Sequence, residues 1–292
     1  MKFRAHETFA IRKGWLHKGL RYVMNNPRVF IDKNINQMDT LGIGANMVKA
    51  LRYWLQATGL TTEGTGNNRN QTVTPFGQLV WNHDSYFEED GTWYLIHYML
   101  SSNEELATAW YYLFNEYEAY DITKENFQES LNHFAVTKGN KSISQRVLKD
   151  EFECVIKTYF ASGEDTNPEN NTTCPLSELN LIGISENNRK GFIKLMPKAS
   201  SIDAHVILAV IVNEYNKKNE KTEIKISALE KDPCNIGKTF NLDNLSILSY
   251  LDKLQSMGYL KVIRTAGLDI VQLNHSMTFE QCVDEYYRSI NE

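Results

Sequence analysis

Apolar side chains recur at helical spacing in two separated parts of the chain, and a glycine-marked polar run follows each. In the first part, Phe9, Leu16, Leu20 and Val23 share one face of a helix expected over residues 10–24, with Thr8 as its cap and Asn25-Asn26-Pro27 as its end. Gly42 and Gly44 form a turn. Met47, Val48, Leu51 and Leu55 then mark the buried stripe of a second helix that exposes Asn46, Lys49, Arg52 and Tyr53. Gly59 ends that helix as a left-handed cap. Residues 65–71 (TGNNRNQ) are too polar to pack, and Thr74-Pro75 opens a short helix over 75–81. Helix, glycine turn, helix and polar hairpin tip in this order predict a winged helix-turn-helix over residues 1–82.

Residues 83–162 read as a helical middle region. Trp93, Leu95, Ile96, Met99, Leu106, Trp110, Leu113 and Phe114 carry a core pattern, and Thr123-Lys124-Glu125-Asn126 starts a further helix. Tyr111, Tyr112, Tyr117 and Tyr120 are able to stack on bases, but the acid around them favours packing. Residues 163–173 (GEDTNPENNTT) have the composition of a linker or long loop.

Residues 174–292 repeat the first theme. An apolar helix covers 204–215 and a short one 226–231. A recognition-type helix over 241–257 turns Leu242, Leu245, Leu248, Leu251 and Leu254 inward and Asn244, Ser246, Ser249, Tyr250 and Lys253 outward. Strands at 259–264 and 268–273 pair across Thr265-Ala266-Gly267. The expected fold is mainly α: two winged helix-turn-helix units joined by a helical middle. The outward face of the second is weakly charged, so a protein partner or an intramolecular dock suits it as well as DNA.

Composition narrows the class. Of 292 residues 42% are hydrophobic and 11% aromatic, as in globular chains. Cys154, Cys174, Cys234 and Cys282 lie far apart without zinc spacing and read as reduced thiols. Neither a signal-type apolar segment nor a bilayer-length apolar run is present, so a cytoplasmic protein away from membranes is expected.

Charge sharpens the picture. Residues 1–56 hold ten lysines and arginines against three carboxylates, a net +7, which leaves −12 for the rest of a chain at −5. The acid lies just downstream, from Asp84 through Glu88, Glu89, Asp90, Glu104 and Glu105 to Glu129. A phosphate backbone is attracted to the first region and repelled by the second. The expected DNA contacts are Arg21, Asn46, Lys49, Arg52 and Tyr53 on the helices, with Arg69 and Asn70 on the wing.

Chemistry has one concentrated candidate. His6 supplies a base, Glu7 a carboxylate, and Arg12 and Lys13 positive charge for a five-coordinate phosphorus. The same residues also suit helix capping and plain phosphate contact. His83, Asp84, Glu88, Glu89, Asp90 and His97 are the alternative as ligands for magnesium or manganese, or a solvated acidic loop. Walker A, dinucleotide, HExxH and GxSxG patterns are absent from the sequence.

The run His6-Glu7-Thr8-Phe9, Arg12, Gly14-Trp15-Leu16 and Lys18-Gly19 resembles the opening of a prokaryotic domain-of-unknown-function family, number four thousand and seven. Leu41-Gly42-Ile43-Gly44, Asn46-Met47-Val48, Arg52-Tyr53-Trp54, Thr74-Pro75-Phe76-Gly77 and Thr92-Trp93-Tyr94-Leu95-Ile96-His97-Tyr98 follow the same family in order. The resemblance implies a part in DNA phosphorothioation and phage defence. It implies a nickase (an endonuclease cutting one strand) that works beside a cysteine desulfurase, an ATP-pyrophosphatase-like sulfur transferase and an ATPase. A non-catalytic adaptor for those enzymes and a transcription regulator of a defence locus, the latter as a homodimer on a palindrome, are the other readings.

Overall fold

Helix α1 (Trp15–Asn25) begins at Trp15, not near residue 10, because the backbone ahead of it folds back on itself. Arg4, Glu7 and Thr8 all have positive φ, at 58°, 49° and 68°, and Gly14 stands at the helix start with φ 78°. Thr8 therefore caps nothing, and the expected start is corrected. The computed structural model describes residues 1–66, 69–161, 173–186, 188, 191–198, 200–217, 223–265 and 268–291. These fall into two compact units, Met1–Leu195 and Met196–Glu292.

In the first unit, α2 (Gln37–Leu41) is capped by Asn36, and Gly42 at φ 63° closes it. Gly42, Ile43 and Gly44 lead into α3 (Ala45–Ala57). Strands β1 (Thr61–Glu63) and β2 (Gln71–Val73) form an antiparallel hairpin with Thr61 opposite Val73 and Glu63 opposite Gln71. The expected wing tip includes Asn67 and Asn68, which lie outside the described residues. Thr74 then caps α4 (Pro75–His83) by accepting from the Gly77 N–H. Gly19 of α1 lets that helix close on Leu51 and Leu55 of α3: a Cβ there would stand 2.7 Å from Leu55 Cδ1. Leu16, Leu20, Val23, Leu51 and Leu55 are buried together. Each such side chain contributes about 1.5–3 kcal/mol relative to exposure.

The stripe of α3 is wider than its spacing predicts. Tyr53, expected outside, is 5% exposed, whereas Met47, expected inside, is half-exposed. The reason is a second wall: Trp54 and Tyr53 meet His6 and Trp110 as tilted and edge-on rings.

The acidic middle forms α5 (Asp90–Ser101), α6 (Thr108–Tyr111) with a wide π turn over Tyr112–Glu116, α7 (Lys124–Thr137) and α8 (Gln145–Tyr159). Thr123 caps α7 as the sequence suggests. Tyr111, Tyr112 and Tyr117 pack inside, whereas Tyr120 is exposed. A 3-10 turn (Pro175–Leu179) and the hairpin β3 (Ile182–Ile184) and β4 (Phe192–Lys194) complete the unit. They are tied back by Ile122 N–H to Phe192 O at 2.7 Å and by Lys194 Nζ to Tyr117 O at 2.9 Å. The unit therefore ends after Leu195, beyond the stretch 163–173 that composition suggests as a boundary. Of that stretch, 163–172 lie outside the described residues.

The second unit contains α9 (Ala204–Lys217), β5 (Glu223–Lys225), α10 (Ile226–Lys231), α11 (Ile236–Phe240) and α12 (Asn244–Ser256). Strands β6 (Leu260–Thr265) and β7 (Leu268–Leu273) and helix α13 (Phe279–Ser289) follow. Its sheet runs β5-β7-β6, all antiparallel. The expected turn residues Ala266 and Gly267 lie outside the described residues. On α12 two expectations reverse: Leu245 is 76% exposed, and Tyr250 is buried beside Ile247, Leu251 and Leu254. A leucine every three residues drifts off the face of a 3.6-residue turn, and Ile247 supplies the missing inward position.

Candidate nucleic-acid interface

A cleft of about 490 Å³ opens between the N-terminal segment, α3 and the β1–β2 hairpin. Lys2, Lys49, Arg52 and Arg69 line it, with Tyr53, Gln56 and the hairpin backbone at Gly64, Thr65 and Gly66. Glu63 is the carboxylate in this wall. It is engaged: Arg52 donates through Nε to Oε2 at 2.8 Å and through Nη2 to Oε1 at 2.7 Å, and Gln56 Nε2 donates to Oε2 at 3.1 Å. Gln71 Nε2 donates to the Arg52 carbonyl at 2.9 Å. The hairpin is thereby bolted to α3. Arg52, expected as a DNA contact, is committed to this bolt. Lys49 stays 62% exposed, with Nζ 3.3 Å from Asn46 Oδ1 and 3.6 Å from Glu7 Oε1. Arg69 is exposed, and Asn70 accepts from Arg28 at 3.4 Å. Gly64 N–H meets the Asn70 carbonyl and squares the base of the hairpin.

Behind the cleft lies a buried polar group that sequence spacing does not reveal. His6 is 1% exposed; its Nε2 faces Glu151 Oε1 at 3.2 Å, and its Nδ1 accepts from the Thr8 N–H at 3.0 Å. The Arg4 N–H also donates to Glu151, and the Arg4 side chain pairs with Asp150 at 2.8 Å. The Thr8 contact leaves the Nε2 proton for Glu151. Burial lowers the proton affinity of the ring, but hydrogen-bonding and electrostatic effects of Cys154 and Glu151 together outweigh it and raise the pKa from 6.5 to about 10. A second proton on Nδ1 must displace the Thr8 N–H, so charge on His6 and the shape of the 6–8 turn are coupled. Tyr53 is pushed well above its ordinary value by burial, with Glu151 and Cys154 adding to it. Glu151 and Cys154 sit one helical turn apart on α8, and Glu151 carried no sequence signal beyond being an acid at a position that α8 buries.

The candidate chemistry is thus dispersed. His6 is inside, Glu7 is half-buried beside Lys49, Arg12 lies over the rings of Phe9 and Trp15, and Lys13 is exposed. Neither Arg12 nor Lys13 lines the cleft. Arg21 is exposed on α1 with its guanidinium over Tyr22. Among the described residues no group of three or more His, Cys, Asp or Glu side chains is arranged to hold a metal ion. The acidic loop is spent on structure: the two oxygens of buried Asp84 accept the backbone N–H groups of Glu88 and Glu89. His97 is buried against Tyr159, Nδ1 to hydroxyl 2.7 Å. Magnesium or manganese therefore finds no fitting ligand set among these residues. Among the described residues no helix is long and apolar enough to cross a membrane.

The model of a family described as protein of unknown function (DUF4007) matches residues 3–287. No curated protein matches the chain. Among solved structures, magnesium ion-bound SspB superposes with a TM-score of 0.87 at 24% identity, covering 100% of this chain and 89% of that one. A second SspB crystal structure gives 0.86 at the same identity and coverage. The likeness establishes a shared fold.

Proposed function

Because the chain belongs to the DUF4007 family, we propose that it is the DNA-binding component of an Ssp-type phosphorothioation system that acts in phage defence. The observation that carries this reading is the cationic cleft between α3 and the hairpin. Read as a winged helix-turn-helix, α2, the Gly42–Gly44 turn, α3 and β1–β2 present Asn46 and Lys49 to a groove and Arg69 to the neighbouring phosphates. Arg52 holds the wing, with its charge largely offset by Glu63. The likeness to SspB supports placing the protein beside a cysteine desulfurase, a sulfur transferase and an ATPase. The second unit is read as another winged helix, and its weakly charged α12 suits those protein partners.

Nicking is the finer part of the proposal. Water adds to phosphorus, one P–O bond forms, one P–O bond to a sugar breaks, and the water gives up a proton. Glu7 accepts that proton and the departing sugar oxygen takes one up to leave as a hydroxyl, Arg12 and Lys13 offset the added negative charge, and buried His6 holds the turn that carries Glu7. The burial of His6, with both ring nitrogens engaged, favours a second reading: a non-catalytic adaptor that holds DNA for the sulfur-transfer enzymes.

One preparation tests both. Duplex gel-shift is run beside relaxation of supercoiled plasmid, for the wild type, Glu7→Gln and a Lys49→Ala, Arg69→Ala double variant. The nickase reading expects open circles that the Glu7 variant fails to make. Binding without relaxation leaves the adaptor. Wild-type affinity in the double variant overturns the cleft as the DNA site. Footprinting of a symmetric palindrome would instead point to a transcription regulator.

A further inference from the structure

Three rings from α1, α4 and the loop after α4 lie in one stack on the first unit. His17 sits between Trp81 and Tyr86: its centroid is 4.6 Å from Tyr86 with the planes 13° apart, and 5.4 Å from Trp81 with the planes 19° apart. The Ser85 carbonyl accepts from His17 Nδ1 at 2.9 Å and fixes the turn of the imidazole. Trp81 and His17 are half-buried, whereas Tyr86 is 69% exposed at the open end. The loop is braced: Asp84 gathers the Glu88 and Glu89 N–H groups, the Phe87 N–H reaches the Asp84 carbonyl at 3.0 Å, and Trp93 Nε1 donates to the Phe87 carbonyl at 3.0 Å. A braced ring loses little freedom when a ligand lands on it.

We propose that Tyr86 is a stacking platform for an unpaired nucleobase, a single-strand site separate from the cationic cleft. Most ring contacts among the described residues are tilted or edge-on. This stack is nearly parallel and its last ring, Tyr86, is 69% exposed, an arrangement that a base extends. Arg21, one helical turn along α1 from His17 and exposed, offers a cation to the phosphate of the same nucleotide. Of the two carboxylates that stand two residues from Tyr86, Asp84 is buried and occupied. The exposed Glu88, Glu89 and Asp90 that follow weaken long-range attraction, so stacking supplies most of the affinity and the salt dependence is shallow.

The test uses the full chain, a labelled short thymidine oligomer, a labelled duplex and fluorescence polarisation. Tyr86→Ala should weaken oligomer binding by about tenfold. Tyr86→Trp should retain it and Arg21→Ala should weaken it less, and duplex affinity should stay unchanged in both Tyr86 variants. Lys49→Ala with Arg69→Ala separates the two sites, since it should lower duplex affinity alone. Thermal melting confirms that each variant is folded. An oligomer affinity untouched by Tyr86→Ala overturns the platform, as does equal loss in Tyr86→Trp. So does an effect of Tyr86→Ala on self-association in ultracentrifugation with oligomer binding intact.

Discussion

Arg52 and Glu63 meet through two near-parallel hydrogen bonds of 2.8 and 2.7 Å, which fasten the first strand of the hairpin to the helix beside it. Arg52 and Lys49 lie one turn apart on α3, but they have different tasks. Arg52 is partly buried and fixes structure; Lys49 is solvated and is the residue proposed to meet DNA phosphate.

Arg52→Ala should therefore lower unfolding stability by about 1–3 kcal/mol, because it leaves the partly buried Glu63 carboxylate without its guanidinium partner. Lys49→Ala should leave urea unfolding unchanged and reduce the slope of log affinity against log salt by about 1. Urea titration and gel-shift across salt concentrations check the pair; equal loss of stability in both would refute the division.

Glu151 accepts from His6 and from the Arg4 N–H with its side chain 1% exposed. Glu151→Ala leaves a buried imidazole and a backbone donor without their acceptor, and should cost about 3–5 kcal/mol in urea unfolding. It should also loosen the 4–8 turn, seen as faster amide exchange there than in α3.

His6 carries a pH signature. Its pKa rises from 6.5 unfolded to about 10 folded, so its contribution is complete below 6.5 and is lost as pH climbs towards 10. The gap in melting temperature between wild type and His6→Gln should accordingly narrow from pH 6 to pH 10. A constant gap would mean that the Thr8 N–H keeps Nδ1 unprotonated throughout.

Gly77 sits where a Cβ would stand 2.1 Å from the Leu60 carbonyl oxygen. Gly77→Ala must push α4 away from the start of β1, with an expected cost of about 1–3 kcal/mol. Chemical denaturation measures it, and an unchanged midpoint would show that this approach yields freely.

Leu245 is 76% exposed despite its place in a leucine-rich helix. Leu245→Glu should change stability by no more than about 0.5 kcal/mol, whereas Leu251→Glu should unfold the second unit. Circular dichroism melts separate the two outcomes.

Much of the first unit was legible because its signals are local. Thr74 and Thr123 announce helix starts, Gly42 and Gly59 announce ends, and the polar run after Thr65 announces a hairpin tip. The start of α1 differs because apolar periodicity continues through residues 9–16, whereas the backbone does not: positive φ at Glu7, Thr8 and Gly14 is invisible to spacing. Tyr53 and Leu245 were placed on the wrong faces for a related reason. Spacing gives the rotation of a helix about its axis, but only its neighbours fix how wide the buried arc is.

By itself, the sequence determined a mainly helical chain with a cationic front end, a glycine turn ahead of α3 and family membership carried by ordered motifs. Caps, turns and periodicity act over a few residues, so they survive in one dimension. Tertiary structure alone decided that His6 would face Glu151, 145 residues away, and that Arg52 would spend its charge on Glu63 while Lys49 kept its own. It also decided that His17 would lie between Trp81 and Tyr86. Those pairings depend on which surfaces close-pack and which donors are left to satisfy once water is expelled, a choice that the whole fold makes at once.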